Sequence, residues 1–225
     1  MRSIQMTPKI STPVLVAYHI PFPFANYHHI YLILPSDTMA APAEMTTLDI
    51  SGKYYMNKTL SDDTDEILRL QGVSWLTRKA IRMATLYLTI KHYTGDDSLE
   101  HIDIDQVLSG GLGATTELRV LNWEERSHED YVFGPVVGKS RRIAIDDIEN
   151  DWLREGWSDE TKEHGAINSW VQSDTPKSGR TWIAEQIWGF ENVNDEKRYT
   201  RHVYFIGPEQ ERIQARLVYD YQGPL

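Results

Sequence analysis

In residues 181–190 the alternation of a β-strand sets Trp182, Ala184, Gln186, Trp188 and Phe190 on one face and Thr181, Ile183, Glu185 and Ile187 on the other. Flat apolar rings around a single amide suit a wall that holds an unsaturated apolar molecule and orients its carbonyl. Two readings fit this face: the lining of a cavity, or outer packing beneath a helix. Residues 199–206 align Thr200, His202 and Tyr204 on one face. Residues 212–221 align Arg212, Gln214, Arg216 and Val218, a face too polar for a dry core, which belongs either to solvent or to a wet lumen. Gln186, His202 and Arg216 are the candidate catalytic donors to a bound carbonyl. Trp170, Trp182, Trp188, Tyr204, Gln106 and Trp123 are the candidate ligand-binding residues.

Other chemistries find no pattern to rest on. The chain has no Cys, which removes thiolate ligands, disulfides and cysteine nucleophiles together, and no Gly-x-Ser-x-Gly elbow is present. The run Gly110-Gly111-Leu112-Gly113 lacks the Lys-Ser/Thr of a phosphate loop and reads as a turn. His101, Asp103 and Asp105 share a strand face but have no partner histidine at ligand spacing, so neither a metal nor a cofactor is expected. With 33 Asp and Glu against 23 Lys and Arg, the net charge of −10 repels phosphate backbones and makes nucleic acid an unsuitable partner.

The elements that must position these residues are mostly strands. A chain of 225 residues, 40% apolar and with mean hydropathy −0.48, is long enough for one large domain and too polar for a membrane protein. No run is long and apolar enough to be a transmembrane segment. A reducing cytoplasm is the expected compartment, and a monomer or homodimer the expected state. Residues 1–38 hold five prolines (Pro8, Pro13, Pro21, Pro23 and Pro35) and no sustained period, after which the text changes at Met39. They are expected to be a disordered or mis-annotated extension, with the ligand-binding domain in residues 45–225.

From residue 48 the period is two, broken twice by helical text. Acids and N-cap side chains in residues 61–66 start a short helix that ends near Gly72. A second helix follows with Val73, Leu76, Ala80 and Met83 on its apolar face and Thr77, Arg78, Lys79 and Arg82 outward. Residues 146–164 read as one acidic amphipathic helix carrying Ile148, Trp152 and Leu153. The remaining segments give nine or ten antiparallel strands. So many in one domain must close or stack, and closure abolishes the edges. The expected fold is a single closed up-and-down β-barrel with a helix-turn-helix lid and one inserted helix.

The strand at 52–58, followed by Gly72-Val73 between two helices and by Trp75, Thr77, Arg78 and Lys79, resembles the cytosolic fatty-acid-binding proteins, which are calycin-type barrels. That resemblance covers residues 48 to about 90 and implies a barrel that binds a hydrophobic small molecule. The family's carboxylate-holding Arg-x-Tyr is replaced here by Arg216-Leu217-Val218-Tyr219, which puts Arg216 and Tyr219 on opposite faces. The runs at 56–65, 129–134 and 186–190 are similar to those of small fungal barrel proteins that include hetero-Diels-Alderases of tropolone sesquiterpenoid pathways. That likeness implies a cofactor-independent pericyclase of secondary metabolism. It would join a reactive polyketide- or tropolone-derived diene to a terpene. The alternative is a carrier that binds a neutral or weakly acidic apolar molecule without transforming it.

Overall fold

Residues 39–130 and 132–225 are described by the computed structural model; the expectation for residues 1–38 lies outside them. Ten antiparallel strands follow in chain order: β1 Gly52–Met56, β2 Leu86–Thr94, β3 Glu100–Leu108, β4 Gly113–Val120, β5 Arg126–Asp130, β6 Gly134–Ile143, β7 Ala166–Ser173, β8 Ile183–Val193, β9 Glu196–Ile206 and β10 Arg212–Gly223. Every neighbour in the order β4-β3-β2-β1-β10-β9-β8-β7-β6-β5 is hydrogen-bonded. The sheet is carried around by β10 on β1, with Tyr54 opposite Tyr221 and Met56 opposite Tyr219. A two-residue turn, Asn194-Asp195, joins β8 to β9. Both residues have positive φ (53° and 63°), as a twist-matched hairpin requires.

The seam lies between β4 and β5, the two ends of the strand order. Just beyond β4 the chain crosses to β6, where Asn122 bridges Arg141 and the Trp123 N–H donates to the Ser140 carbonyl at 2.9 Å. One end of the seam is thereby stitched. Farther along, Ala114, Thr115 and Thr116 face His128 and Asp130 across an unladdered slot. The barrel is up-and-down and nearly closed, as the strand count requires.

One end of the barrel is plugged by residues 39–50, so the packed chain begins before residue 45. Ala41 and Ile50 are buried, and Tyr221 N–H donates to the Met39 carbonyl. The plug is fastened by a charged knot. Arg142 donates to both oxygens of Glu100 and, at 2.8 Å, to the Thr47 carbonyl. His92 Nδ1 accepts from the Ile50 N–H, so its Nε2–H donates to Glu100 at 2.7 Å. Burial raises the Glu100 pKa, but the hydrogen bonds and charges of His92 and Arg142 outweigh it and bring it down to about 2.

The lid at the other end is α1 (Asp65–Leu70) and α2 (Trp75–Met83). Ile67 and Leu70 of α1 pack on Trp182, Val203 and Phe205. Helix α2 is turned away from the expected orientation: Leu76 and Met83 are 71% and 79% exposed. Arg78, assigned to the outer face, is only 11% exposed and pairs with Asp65 at 2.6 Å. That ion pair to α1 fixes the rotation of α2 and brings Ile81 rather than Leu76 over the interior.

The expected single helix at 146–164 is two short ones, α3 (Asp151–Arg154) and α4 (Asp159–His164), after a 3-10 turn at Ile145–Asp147. Gly156 breaks it with φ +90°, where a Cβ would lie 2.4 Å from the Glu191 carboxylate. The insertion packs Ile148, Leu153 and Trp157 on Ile143, Ala166 and Ile187, which point outward from β6, β7 and β8. Another four-residue helix, α5 (Thr175–Ser178), joins β7 to β8.

These contacts set the stability of the plug and of the insertion. Glu100 is more acidic folded than unfolded, so its contribution is present above pH 4.5 and is lost as pH falls toward 2. Urea unfolding across that window should show Glu100→Gln less stable at neutral pH, on the order of 3 kcal/mol, with a flatter decline in acid. Gly156→Ala should cost more than about 1 kcal/mol, because the new methyl meets both an unfavourable φ and Glu191. A Gly156→Ala protein that melts with wild type would contradict this.

Candidate functional site

A cavity of about 680 Å³ lies between the lid and the middle of the barrel. Its position follows from side-chain size. The plug half of the lumen is filled by Tyr54, Leu88, Ile90, Ile104, Phe190, Tyr199 and Tyr219. Toward the lid, three adjacent strands present small inward residues, Gly138 and Ser140 on β6, Ser169 on β7 and Ala184 on β8, and these cannot fill the space. Ile67, Leu68, Ile81, Phe133, Val136 and Trp182 make the apolar upper wall.

The floor is polar and rests on Trp188. Arg201, directly opposite Trp188 in the β8–β9 ladder, holds its guanidinium carbon 4.6 Å from the Trp188 ring centroid, and Arg119 of β4 holds its own at 5.2 Å. Arg119 donates through Nη2 and Nε to Glu117 Oε2 at 2.5 and 3.0 Å. Gln106 donates to Glu117 Oε1 at 2.5 Å. Arg201 Nη1 donates to Gln186 Oε1 at 3.2 Å, which leaves the Gln186 amide N–H groups as donors with no protein partner among the described residues. The resulting surface offers amide and guanidinium N–H groups to whatever occupies the apolar space above.

Two carboxylates of this cavity are displaced in opposite directions. Burial pushes Glu117 up, but the charge and hydrogen bonds of Arg119, the charge of Arg201 and the Gln106 amide together hold it below the usual range. Asp130, beside the slot, is raised by burial and by the negative charge of Glu117, against backbone N–H bonds from Val132 at 2.7 Å and Phe133 at 2.9 Å. Glu117 is thus held ionised, while Asp130 is the group more ready to keep a proton.

Of the residues singled out from sequence, Gln186, Gln106 and Trp182 line the cavity, and Trp188 lies under its floor. The other five face outward. Trp170 and Trp123 lie on the outer surface of β6 and β7, where Lys139 covers both and Arg141 sits 4.2 Å from the Trp123 centroid. His202 is buried beneath the insertion, its ring against Trp152 and Trp157, with Nδ1 3.1 Å from the Trp152 carbonyl and Nε2 3.1 Å from Glu191. Tyr204 packs beside them. Arg216 pairs with His202 across the β9–β10 ladder and so also points outward, its backbone N–H donating to Asp62. The reason is strand parity: with Gln186 inward, its ladder partner Val203 is inward, and His202, Tyr204 and Arg216 cannot be.

Glu117, Arg119 and Arg201 were not singled out, although a signal existed. On β9 the inward set is Tyr199, Arg201, Val203 and Phe205, an apolar face interrupted by one guanidinium. Polarity drew attention to the opposite face, whereas the apolar face with a lone charge is the lumenal one.

The chain is 30% identical over 189 residues to the "Probable pericyclase scpY" of Mollisia scopiformis, spanning 82% of this chain and 96% of that protein. It is 24% identical over 199 residues to "Pericyclase pydY" of Acremonium sp, spanning 83% and 98%. No family model matches it. Among solved structures it is similar to the REP1-NXSQ fatty acid transporter at 13% identity and TM-score 0.45, covering 78% of this chain and 97% of that one. The fluorescent protein UnaG is similar at 13% identity and TM-score 0.46, covering 77% of this chain and 97% of that one. By its identity to the Mollisia protein over almost the whole of that relative, the chain belongs to the same family as these pericyclases.

Proposed function

We propose that the cavity is the site of a cofactor-independent pericyclic reaction, of the hetero-Diels–Alder type, between a polyketide-derived heterodiene and a terpene-like alkene. The observation that carries this reading is a mainly apolar cavity whose floor offers amide and guanidinium hydrogen-bond donors, in a chain of the pericyclase family. Such a cycloaddition closes a ring by forming one C–O and one C–C σ bond, and no atom leaves. The protein's tasks are to hold the two π-systems in a reactive arrangement and to stabilise charge that grows on oxygen. Trp182, Phe133 and the lid residues Ile67 and Ile81 supply rigid apolar area; Gln186 and Arg201 supply the donors. The volume of about 680 Å³ lies within the usual range for ligand pockets. The protein would work in the cytoplasm as a monomer or homodimer. Among the described residues no helix is long and apolar enough to cross a membrane.

A carrier would need the same cavity but would bind ground and transition states equally and accelerate nothing. Incubation with a reactive diene precursor and humulene, following product rate and stereochemistry, separates the two. Gln186→Ala and Arg201→Met should each slow product formation by about 100-fold, the lower end of what loss of one donor to a developing oxyanion costs. Arg216→Ala, on the outer surface, should match wild type. A wild-type rate equal to the heat-killed blank would leave the carrier; a slow Arg216→Ala with normal Gln186→Ala would move the site elsewhere.

A further inference from the structure

The charge on the cavity floor does not balance. Arg119 and Arg201 bring two positive charges, and Glu117, bound to Arg119, brings one negative charge. Among the described residues Arg201 forms no ion pair: its one hydrogen bond is to the neutral Gln186, and its buried Nε has no acceptor. The other charged groups of the cavity are engaged elsewhere or stand at the slot. Arg126 donates to Asn122 and Glu124, Lys139 lies 3.5 Å from Glu125 and over the two outward tryptophans, and His128 and Asp130 flank the opening. An enclosed, unpaired guanidinium is costly, and the cost is relieved when an anion joins it. Both guanidinium carbons lie within 5.2 Å of the Trp188 centroid, and Arg119 Nη1 and Arg201 Nη2 have no partner among the described residues, so these two groups are left as donors to an acceptor in the cavity.

We propose that the cavity floor binds a delocalised monoanionic head group, an enolised 1,3-dicarbonyl or a carboxylate, through Arg201 and Arg119, with the apolar remainder of the molecule under the lid. This names the substrate class of the site described above and rests on the cavity being the ligand site. It differs from a neutral carbonyl acceptor in its consequence: affinity is set by charge, with Arg201 the specificity-determining residue and Glu117 working against the ligand. Head-first binding also leaves the hydrocarbon part of the ligand beside Trp182 and Ile81, where a second π-system would enter.

Calorimetric titration with three non-reacting probes tests this: 2-decanoylcyclohexane-1,3-dione, decanoic acid and methyl decanoate. At neutral pH the two anions should bind about tenfold or more tightly than the ester, as charge-assisted bonds in an enclosed site imply. A preference for the dione over decanoate identifies the enolate as the head group, and the reverse identifies the carboxylate. Arg201→Met should remove the preference, and a circular dichroism spectrum and melting temperature matching wild type show that the variant is folded. Glu117→Gln should strengthen anion binding several-fold. Equal affinity for all three probes, or an anion preference that survives both Arg201→Met and Arg119→Met, would overturn the proposal. Because the probes do not react, an anion preference without catalysis sinks only the pericyclase reading, and catalysis without that preference sinks only this one.

Discussion

Pairing of β10 with β1 turns ten strands into one lumen, and the site depends on that closure. Once the sheet is carried around, alternate residues of every strand share a single interior whose size is set by strand number and tilt. Large inward side chains then fill it and small ones leave a void. Aromatic rings occupy the plug half, and glycine, serine and alanine on β6 to β8 leave the lid half open. The cavity is therefore a consequence of where bulk stops along the strands, and the lid covers what the strands leave unfilled.

A second constraint acts at the floor. Cations inside a barrel are tolerated only if their surroundings replace water, and here Trp188 supplies a π-face, Glu117 a countercharge and Gln186 an acceptor. These groups come from β4, β8 and β9, so they lie on both sides of the ladder closed by β1 and β10 and hold one another in place. A site built on strands in this way is stiff, which suits a reaction governed by orientation. The neutral phenols of Tyr199 and Tyr219, kept protonated by burial, complete the layer beneath without adding charge.

The outer face solves a separate problem. Strands β8 and β9 present Ile187, His202 and Tyr204 outward, and the insertion covers them. His202 Nδ1 faces the Trp152 carbonyl and therefore carries a proton, while Nε2 faces Glu191. Packed against both Trp152 and Trp157, the imidazole anchors α3 and α4 to the barrel. Its burial has a structural cause rather than a chemical one.

The strand count, the antiparallel order, the lid between residues 65 and 83 and the aromatic face of β8 follow from the chain alone, because period-two alternation and turn residues act over a few neighbours. Gln186 and Trp182 were legible as members of one strand face for the same reason. Which face of a polar strand looks inward was not. His202 and Arg216 carry the more chemically suggestive side chains, and only the ladder from Gln186 through Val203 shows that they point out. The break of the 146–164 segment at Gly156 and the rotation of α2 around the Arg78–Asp65 pair likewise depend on partners far along the chain or across a turn. The floor is the fullest case: Glu117, Arg119, Gln186, Trp188 and Arg201 span β4 to β9, and nothing local in any one strand states that they meet. Sequence by itself determined a barrel with an aromatic wall; tertiary structure decided its chemistry, because inside and outside are properties of the closed sheet and not of a strand.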